Sequence, residues 1–165
     1  MIRTDNETGA VVEIHDLLNP SSVVFGLRAG SKKQVLQELA RIAAGQVGLH
    51  ERVVFDVLLE RERLGSTGVG EGVAIPHGRI ADLTGLSGVF ALLKQPVDFD
   101  ALDGRPVDLV FLLLAPQSAG ADHLKALSRI SRLMRDRDMR DKLRGARSND
   151  ALYALLTTGS TSEAA

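Results

Sequence analysis

The chain has 165 residues, of which 44% are hydrophobic and 25% are charged, and this composition excludes a globally disordered protein. Its 20 basic and 21 acidic residues give a net charge of −1. That balance lacks the strong positive field of nucleic-acid-binding proteins, so we expect no nucleic-acid partner. Cysteine is absent, which excludes disulfides, thiolate metal sites and a cysteine nucleophile.

The length is typical of one domain, and both ends of the chain are polar or rich in small residues. We expect the domain over residues 21–157, an N-terminal tail and lead-in over 1–20, and a C-terminal tail over 158–165. The longest apolar run, Leu109–Ala115, is far shorter than the roughly 20 residues of a membrane-spanning helix. Residues 1–10 lack the apolar core of a signal peptide. We therefore expect a cytoplasmic protein with no membrane insertion.

Short strand and helix patterns alternate along the first half of the chain. Val23–Phe25 is a β-branched and aromatic run that predicts a strand. Ser31 and Gln34 have the spacing of a capping box, and apolar residues follow them at helical period, so a helix is predicted to begin here. A second helix is predicted over about Glu51–Leu64, with Gly65 as its C-terminal cap.

The glycine-dense segment 65–78 predicts tight turns or close backbone approach. Within it, Val73–Ile75 predicts a short strand that ends at Pro76. Farther along, Val89–Leu93 predicts another strand. Leu109–Ala115 predicts a central strand covered on both faces, because it is continuously apolar.

Helical patterns dominate the last part of the chain, over Ala121–Met134, Met139–Leu143 and Asp150–Leu156. The predicted inward face of the first of these helices contains Leu124, Leu127, Ile130, Leu133 and Met134. The elements together predict an α/β fold in which helices flank a small mixed β-sheet. A regular doubly wound sheet is not expected, because strand–helix alternation fails between residues 89 and 115.

His77 has the most unusual surroundings of the four histidines. It follows Pro76, precedes Gly78 and comes after a glycine-dense segment whose backbone N–H groups could face an anion. Neutral imidazole can attack a carbonyl or phosphoryl group. These features make His77 a candidate nucleophile, while an ordinary core or surface histidine is the alternative. No H-x-x-x-H or H-E-x-x-H spacing occurs, so we expect no metal site.

Arg61 interrupts an apolar helical face. The other members of that face are Val54, Val57, Leu58 and Leu64. One interpretation is that the stem of Arg61 covers the core while its head reaches water. The other is that its guanidinium lies at the edge of a cleft, where it would bind an oxyanion.

His123 falls in the first turn of its predicted helix, in line with Leu127, Ile130 and Met134. The positive end of the helix dipole disfavours imidazolium there, so a neutral ring could donate one N–H to an oxyanion. The alternative is a buried histidine that bonds only to the backbone.

Three segments carry a resemblance to a known family. They are Arg61–Arg79 (RERLGSTGVGEGVAIPHGR), Phe99–Pro116 (FDALDGRPVDLVFLLLAP) and His123–Asp136 (HLKALSRISRLMRD). The chain resembles, over about residues 23–156, the IIA components of the bacterial phosphoenolpyruvate:sugar phosphotransferase system. Its nearest likeness is to the fructose/mannitol type and, within that type, to the stand-alone nitrogen-regulatory branch.

The resemblance implies a mannitol/fructose-type IIA fold and a phosphohistidine mechanism. By similarity, His77 is the phosphorylated nucleophile, and Arg61 and His123 stabilise the phosphoryl group. The implied donor is an HPr-like nitrogen phosphocarrier protein (NPr), which is itself supplied by the upstream enzyme I. Implied targets include potassium-transport regulators or sensor kinases, and no cofactor or metal is required.

Three functions remain open on this resemblance. The first is a regulatory relay whose two phosphorylation states bind different targets. The second is a sugar-transport IIA component that passes the phosphoryl group to a IIB domain, and the chemistry at His77 is the same in both. The third is an anion- or nucleotide-binding module without phosphorylation, in which binding would survive the loss of His77. Docking to a carrier is expected around His77, with Val69 and Val73 as its exposed apolar part.

Overall fold

Six strands form one mixed β-sheet in the computed structural model of the protein, which describes residues 12–164 and the side chains up to residue 159. The strands are β1 (Val23–Leu27), β2 (Gly68–Gly70), β3 (Val73–Ala74), β4 (His77–Ile80), β5 (Ser87–Val97) and β6 (Val107–Pro116). Their order is β1-β5-β6-β3-β2, and β4 also pairs with β6. The predicted fold class, a small mixed sheet flanked by helices, is confirmed.

Helices cover both faces of the sheet. In chain order they are α1 (Ile14–Leu17), a 3₁₀ turn (Pro20–Ser22), α2 (Lys32–Val47), α3 (Glu51–Arg63), α4 (Ala121–Arg135), α5 (Arg137–Gly145) and α6 (Asn149–Ala164). One hydrophobic cluster joins α2 and α3 to the first face, and a second cluster joins α1, α4, α5 and α6 to the other. Within the described part of the chain, no helix is long and apolar enough to cross a membrane.

Strand β6 lies at the centre of the sheet and is buried on both faces. It runs antiparallel to β5 and parallel to β3 and β4. Val110 and Leu112 pack into the cluster under α2 and α3, while Phe111 and Leu113 pack into the opposite cluster. The prediction of a doubly covered central strand is therefore confirmed, and its alternating side chains connect the two halves of the core.

Two predicted inward leucines are exposed. Leu64 is 81% exposed because α3 ends at Arg63, one residue before it, and Leu124 is 65% exposed in the first turn of α4. Both lie at an end of a helix, where their side chains are open to solvent. The prediction that they face the core is wrong for this reason.

The start of α2 agrees in part with the predicted capping box. The hydroxyl of Ser31 accepts the backbone N–H of Gln34 at 3.2 Å, as an N-cap should. The Gln34 side chain does not return to Ser31. It accepts the N–H of Gly30 at 2.6 Å instead, which fixes the turn before the helix.

The structure describes part of each predicted tail. Residues 1–11 of the N-terminal tail lie outside the described residues, whereas the rest of the lead-in contributes Ile14, Leu17 and Leu18 to the core. At the other end, the helix predicted over Asp150–Leu156 continues through the expected tail, because α6 runs to Ala164. The domain boundaries themselves stay a prediction.

Candidate functional site

His77 lies at a break between two short strands that pair with the same neighbour. Strand β3 pairs with β6 at Ala74 opposite Val110, and β4 resumes the pairing at His77 opposite Leu113. Between them, Pro76 accepts the backbone N–H of Leu113 at 3.0 Å. His77 therefore begins β4, a strand that was not predicted, and the backbone on both sides of it is hydrogen-bonded to β6.

Two hydrogen bonds assign the proton on the His77 ring. Nδ1 lies 2.9 Å from the carbonyl oxygen of Ile75, and because a carbonyl only accepts, Nδ1 carries the proton. Nε of Arg61 donates to Nε2 at 3.3 Å, so Nε2 carries the lone pair. The half-buried ring thus presents an unprotonated Nε2 beside a guanidinium, which is the arrangement a nucleophilic imidazole needs.

Helix α3 places Arg61 beside His77. Gly78 packs directly against α3, since a Cβ at this position would collide with the side chain of Val57. Arg61 follows Val57 by one helical turn on the same face and therefore reaches His77. Its Nη1 also donates to the carbonyl of Gly65 at 2.9 Å, which orients the guanidinium at the edge of the cleft.

His123, in the first turn of α4, lies next to His77. Its ring centroid lies 5.7 Å from that of His77, with the planes at 65°, and the residue is only 6% exposed. Nε of Arg79 donates to its Nδ1 at 2.9 Å. Among the described residues, Nε2 of His123 has no hydrogen-bond partner. The structure therefore brings the three predicted site residues together.

Arg79 is a site residue that sequence analysis missed. It lies two positions after His77 on β4, and alternate residues of a strand share one face. That spacing was the available signal, because a charged residue two positions from a candidate nucleophile on a strand faces the same cleft.

Burial keeps both histidines neutral. Desolvation lowers the pKa of His77 below its ordinary value of 6.5, and the nearby charge of Arg61 lowers it further, against the raising effect of the Ile75 carbonyl. Desolvation is also the main cause that lowers the pKa of His123, followed by the charges of Arg79 and His77. A neutral His77 keeps its lone pair available at neutral pH.

A buried carboxylate anchors the chain after α3. Glu62 is 7% exposed, and it accepts both the backbone N–H of Thr67 at 2.9 Å and its hydroxyl at 2.7 Å. Nζ of Lys32 lies 3.1 Å from the same carboxylate. The entry into the glycine-dense segment is thereby fixed next to Arg61.

The glycine-dense segment is more structured than its composition indicates. Its amides take part in local hydrogen bonds, with Gly68 donating to the Ser66 hydroxyl at 3.0 Å and Glu71 donating to Asp103 at 2.9 Å. Val69 is 53% exposed as expected, but Val73 is 1% exposed in β3. The prediction that Val73 belongs to an exposed docking surface is wrong, because its side chain packs into the core.

No group of three His, Cys, Asp or Glu within the described residues has an arrangement that could hold a metal ion. The cluster itself presents two neutral imidazoles and two guanidinium groups. Such a set can donate several hydrogen bonds to the oxygens of a phosphoryl group while one imidazole nitrogen attacks it.

Comparison with known proteins gives a consistent result. Residues 16–159 match the family model of the phosphoenolpyruvate-dependent sugar phosphotransferase system, EIIA 2. A nitrogen regulatory protein of Bradyrhizobium diazoefficiens is 57% identical over 143 residues, which cover 87% of this chain and 94% of that protein. The crystal structure of nitrogen regulatory protein IIA-Ntr from Neisseria meningitidis has a TM-score of 0.83 at 40% identity, covering 87% of this chain and 99% of that one. A fructose-specific EIIABC component of Bacillus subtilis is 34% identical over 88% of this chain and 23% of that longer protein.

Proposed function

The chain belongs to the EIIA 2 family of the phosphoenolpyruvate-dependent sugar phosphotransferase system, and on this premise we propose that it is a regulatory protein phosphorylated on His77. The phosphoryl donor is an HPr-like carrier of the nitrogen-related system, which enzyme I phosphorylates. The phosphorylated and unphosphorylated forms bind different target proteins. The similarity to nitrogen regulatory proteins over nearly the whole of their length supports this assignment.

The pair of hydrogen bonds on His77 is the observation that carries the proposal. The Ile75 carbonyl holds the proton on Nδ1, so Nε2 is the unprotonated nitrogen and carries the lone pair that accepts from Arg61. A histidine held in the opposite tautomer could not attack through Nε2 without first losing a proton. The structure around the ring supports a nucleophile that needs no separate general base.

Transfer proceeds by in-line attack. The lone pair of His77 Nε2 forms the new N–P bond while the bond between phosphorus and the carrier's histidine nitrogen breaks, and the departing nitrogen keeps that electron pair. The His77 ring becomes cationic as Nε2 is phosphorylated. Its Nδ1–H then donates more strongly to Ile75, so the same carbonyl that sets the tautomer also stabilises the product.

Arg61 and His123 stabilise the phosphoryl oxygens. Arg61 already contacts Nε2, so its guanidinium lies where negative charge arrives with the phosphoryl group. His123 supplies a second donor through its Nε2–H, which is buried and without a partner among the described residues. Phosphoryl transfer depends chiefly on positioning and charge stabilisation, which these two side chains provide.

Intact-mass analysis tests the proposal. The purified protein is incubated with phosphoenolpyruvate, enzyme I and either the nitrogen-type or the sugar-type carrier. We expect an acid-labile phosphoryl group to appear faster with the nitrogen-type carrier. No gain with either carrier would contradict phosphorylation of this chain altogether.

Sugar transport is the second candidate function. The similarity to the fructose-specific EIIABC component of Bacillus subtilis favours it, because the matched region is part of a fructose-specific phosphotransferase-system protein. This function predicts faster phosphorylation by the sugar-type carrier and onward transfer to a IIB domain specific for fructose or mannitol. The mass assay with both carriers separates the two functions.

A further inference from the structure

A second cleft, of about 580 Å³, lies away from His77, where β1 ends and β6 begins. The lining side chains that matter here are Phe25, Arg28, Lys94, Asp108, Arg144 and Arg147. Asp108 precedes Leu113, the strand partner of His77, by five positions on β6, which corresponds to about 17 Å at roughly 3.4 Å per residue. His77, Arg61, Arg79 and His123 do not line this cleft.

The lining of this cleft is strongly cationic. Four basic side chains face one carboxylate, which leaves a net charge of +3 in a chain whose overall charge is −1. The single carboxylate is already neutralised, because Nε of Arg144 lies 3.1 and 3.0 Å from the two oxygens of Asp108, and its Nη2 lies 2.9 Å from one of them. The other cations therefore face the cleft without a counterion from Asp108.

Three cations in the lining have no acidic partner among the described residues: Arg28, Lys94 and Arg147. Within residues 12–159, the side chain of Arg147 donates only to the carbonyl of its neighbour Ala146. Elsewhere on the surface, arginines such as Arg41 and Arg52 pair with acids one helical turn away. Convergence of unpaired cations on one concavity favours an anionic ligand.

The aromatic side chain of Phe25 lines the cleft together with these cations. Strand β1 contains a bulge between Phe25 and Leu27, where Gly26 has φ +74° and the pairing with β5 shifts. The backbone N–H of Phe25 donates to the side-chain oxygen of Asn149 at 2.6 Å. Phe25 is 38% exposed and lines the cleft. Bulges at sheet edges commonly redirect a side chain next to a site, and this one leaves an apolar ring next to the cations.

We propose that this cleft binds a nucleoside diphosphate. Arginine guanidinium groups bind phosphate oxygens through paired hydrogen bonds, and a base can stack on an exposed phenylalanine. A nucleoside diphosphate carries about −3 charges at most, about one on its inner phosphate and up to about two on its outer phosphate, which matches the charge of the lining. The volume falls within the range of about 300–1,000 Å³ that small-molecule sites occupy.

Titration calorimetry and amide NMR of the full chain test this site with four probes: ADP, GDP, inorganic pyrophosphate and adenosine. We expect both nucleotides to bind and to shift the amide signals of Phe25, Lys94 and Arg147. Pyrophosphate binds more weakly because it lacks a base, and adenosine does not bind because it lacks the phosphates. Binding persists in the His77→Ala variant, so the result is independent of the proposed phosphorylation.

A pair of charge reversals provides the matched control. Lys94→Glu weakens ADP binding by at least about tenfold, whereas Lys33→Glu, which makes the same charge change at an exposed position of α2, changes it by less than about twofold. Phe25→Leu reduces the affinity for ADP to that for pyrophosphate.

The proposal is overturned if ADP and GDP leave the cleft signals unmoved at millimolar concentration. Equal weakening by Lys94→Glu and Lys33→Glu would show only a response to net charge. Equal affinity of the wild-type protein for pyrophosphate and ADP would exclude recognition of the base.

Discussion

Nε of Arg79 donates a hydrogen bond of 2.9 Å to Nδ1 of His123. Because Nδ1 accepts, the proton of the neutral His123 ring resides on Nε2. His77 has the opposite tautomer, with its proton on Nδ1 and its lone pair on Nε2. Two adjacent histidines therefore offer complementary groups, a nucleophilic nitrogen from one and an N–H donor from the other.

Replacement of Arg79 tests this arrangement. In Arg79→Ala we expect transfer to slow by about tenfold, because a neutral His123 loses the bond that keeps its proton on Nε2. Arg79→Lys restores part of the rate, since lysine can still donate to Nδ1. Nitrogen-15 NMR of the imidazole rings should show a mixture of His123 tautomers in Arg79→Ala and one tautomer in the wild type. A single tautomer and an unchanged rate in Arg79→Ala would exclude this positioning role.

His77→Ala removes the proposed nucleophile. We expect no phosphoryl group on this variant by intact mass, together with an unchanged circular dichroism spectrum, because the lost side chain is only half buried. His15→Ala, a change at an exposed histidine in α1, serves as the control and retains full phosphorylation. Stoichiometric phosphorylation of His77→Ala would assign the nucleophile to another residue.

Arg61→Ala removes the guanidinium beside Nε2 of His77. Loss of an arginine that stabilises a transferred phosphoryl group slows transfer by about 10³-fold or more, and we expect a loss of this order. Arg63→Ala, an exposed arginine of the same helix that pairs with Glu60, should keep the wild-type rate. Rapid-quench measurement of phosphate uptake gives both rates, and equal rates would mean that Arg61 only covers the core with its stem.

The two lowered histidine pKa values predict how the protein responds to acid. Because the pKa of each ring lies below 6.5, the neutral form predominates at that pH, and the midpoint of the fall in transfer rate should lie in more acidic solution. NMR titration of the ring C–H signals measures both pKa values directly. Arg61→Gln should raise the pKa of His77, because the positive charge of Arg61 disfavours a second positive charge nearby.

The lowered pKa values of His77 and His123 also determine how the free energy of unfolding changes with pH. The unfolded chain binds protons at these histidines at a higher pH than the folded protein does, so each ring contributes stability above about pH 6.5. That contribution is lost as the pH falls. Urea unfolding between pH 7 and 5 should therefore show a decreasing free energy of unfolding, and a value that rises on acidification would contradict the lowered pKa values.

Gly78→Ala tests the contact between α3 and β4. A Cβ at Gly78 would collide with Val57, so we expect a loss of about 1–3 kcal/mol in the free energy of unfolding and slower transfer as Arg61 is displaced. The double variant Gly78→Ala/Val57→Ala should recover transfer, because it removes the collision. Gly45→Ala provides the control, since an added Cβ there meets nothing within 4 Å inside α2.

Much of the fold could be predicted because the informative patterns are local. The apolar run of β6 and the amphipathic periods of α2 and α4 depend on burial, which the spacing of residues reports directly. Strands β2 and β4 were not predicted, because their sequences contain no such local pattern. Gly68–Gly70 and His77–Ile80 lack the β-branched runs that mark a strand. They pair because β3 offers a neighbouring edge to the first and β6 offers one to the second.

The predicted site residues stand out because each disturbs a pattern around it. Arg61 interrupts an apolar helical face, His123 lies on the inward face of a helix, and His77 follows a proline in a glycine-dense segment. Arg79 disturbs nothing, since it occupies an exposed position on a short strand. Its bond to His123 depends on the approach of α4, a contact between distant parts of the chain, so the spacing from His77 was the one local signal that pointed to it.

The double attachment of the backbone around His77 has a consequence for signalling. Since β3, Pro76 and β4 are all bonded to β6, the segment proposed to receive the phosphoryl group has little freedom to rearrange. Phosphorylation then adds about −1.5 to −2 charges to a surface of constant shape. We expect any protein that distinguishes the two states to do so electrostatically, with an affinity difference that shrinks as ionic strength rises.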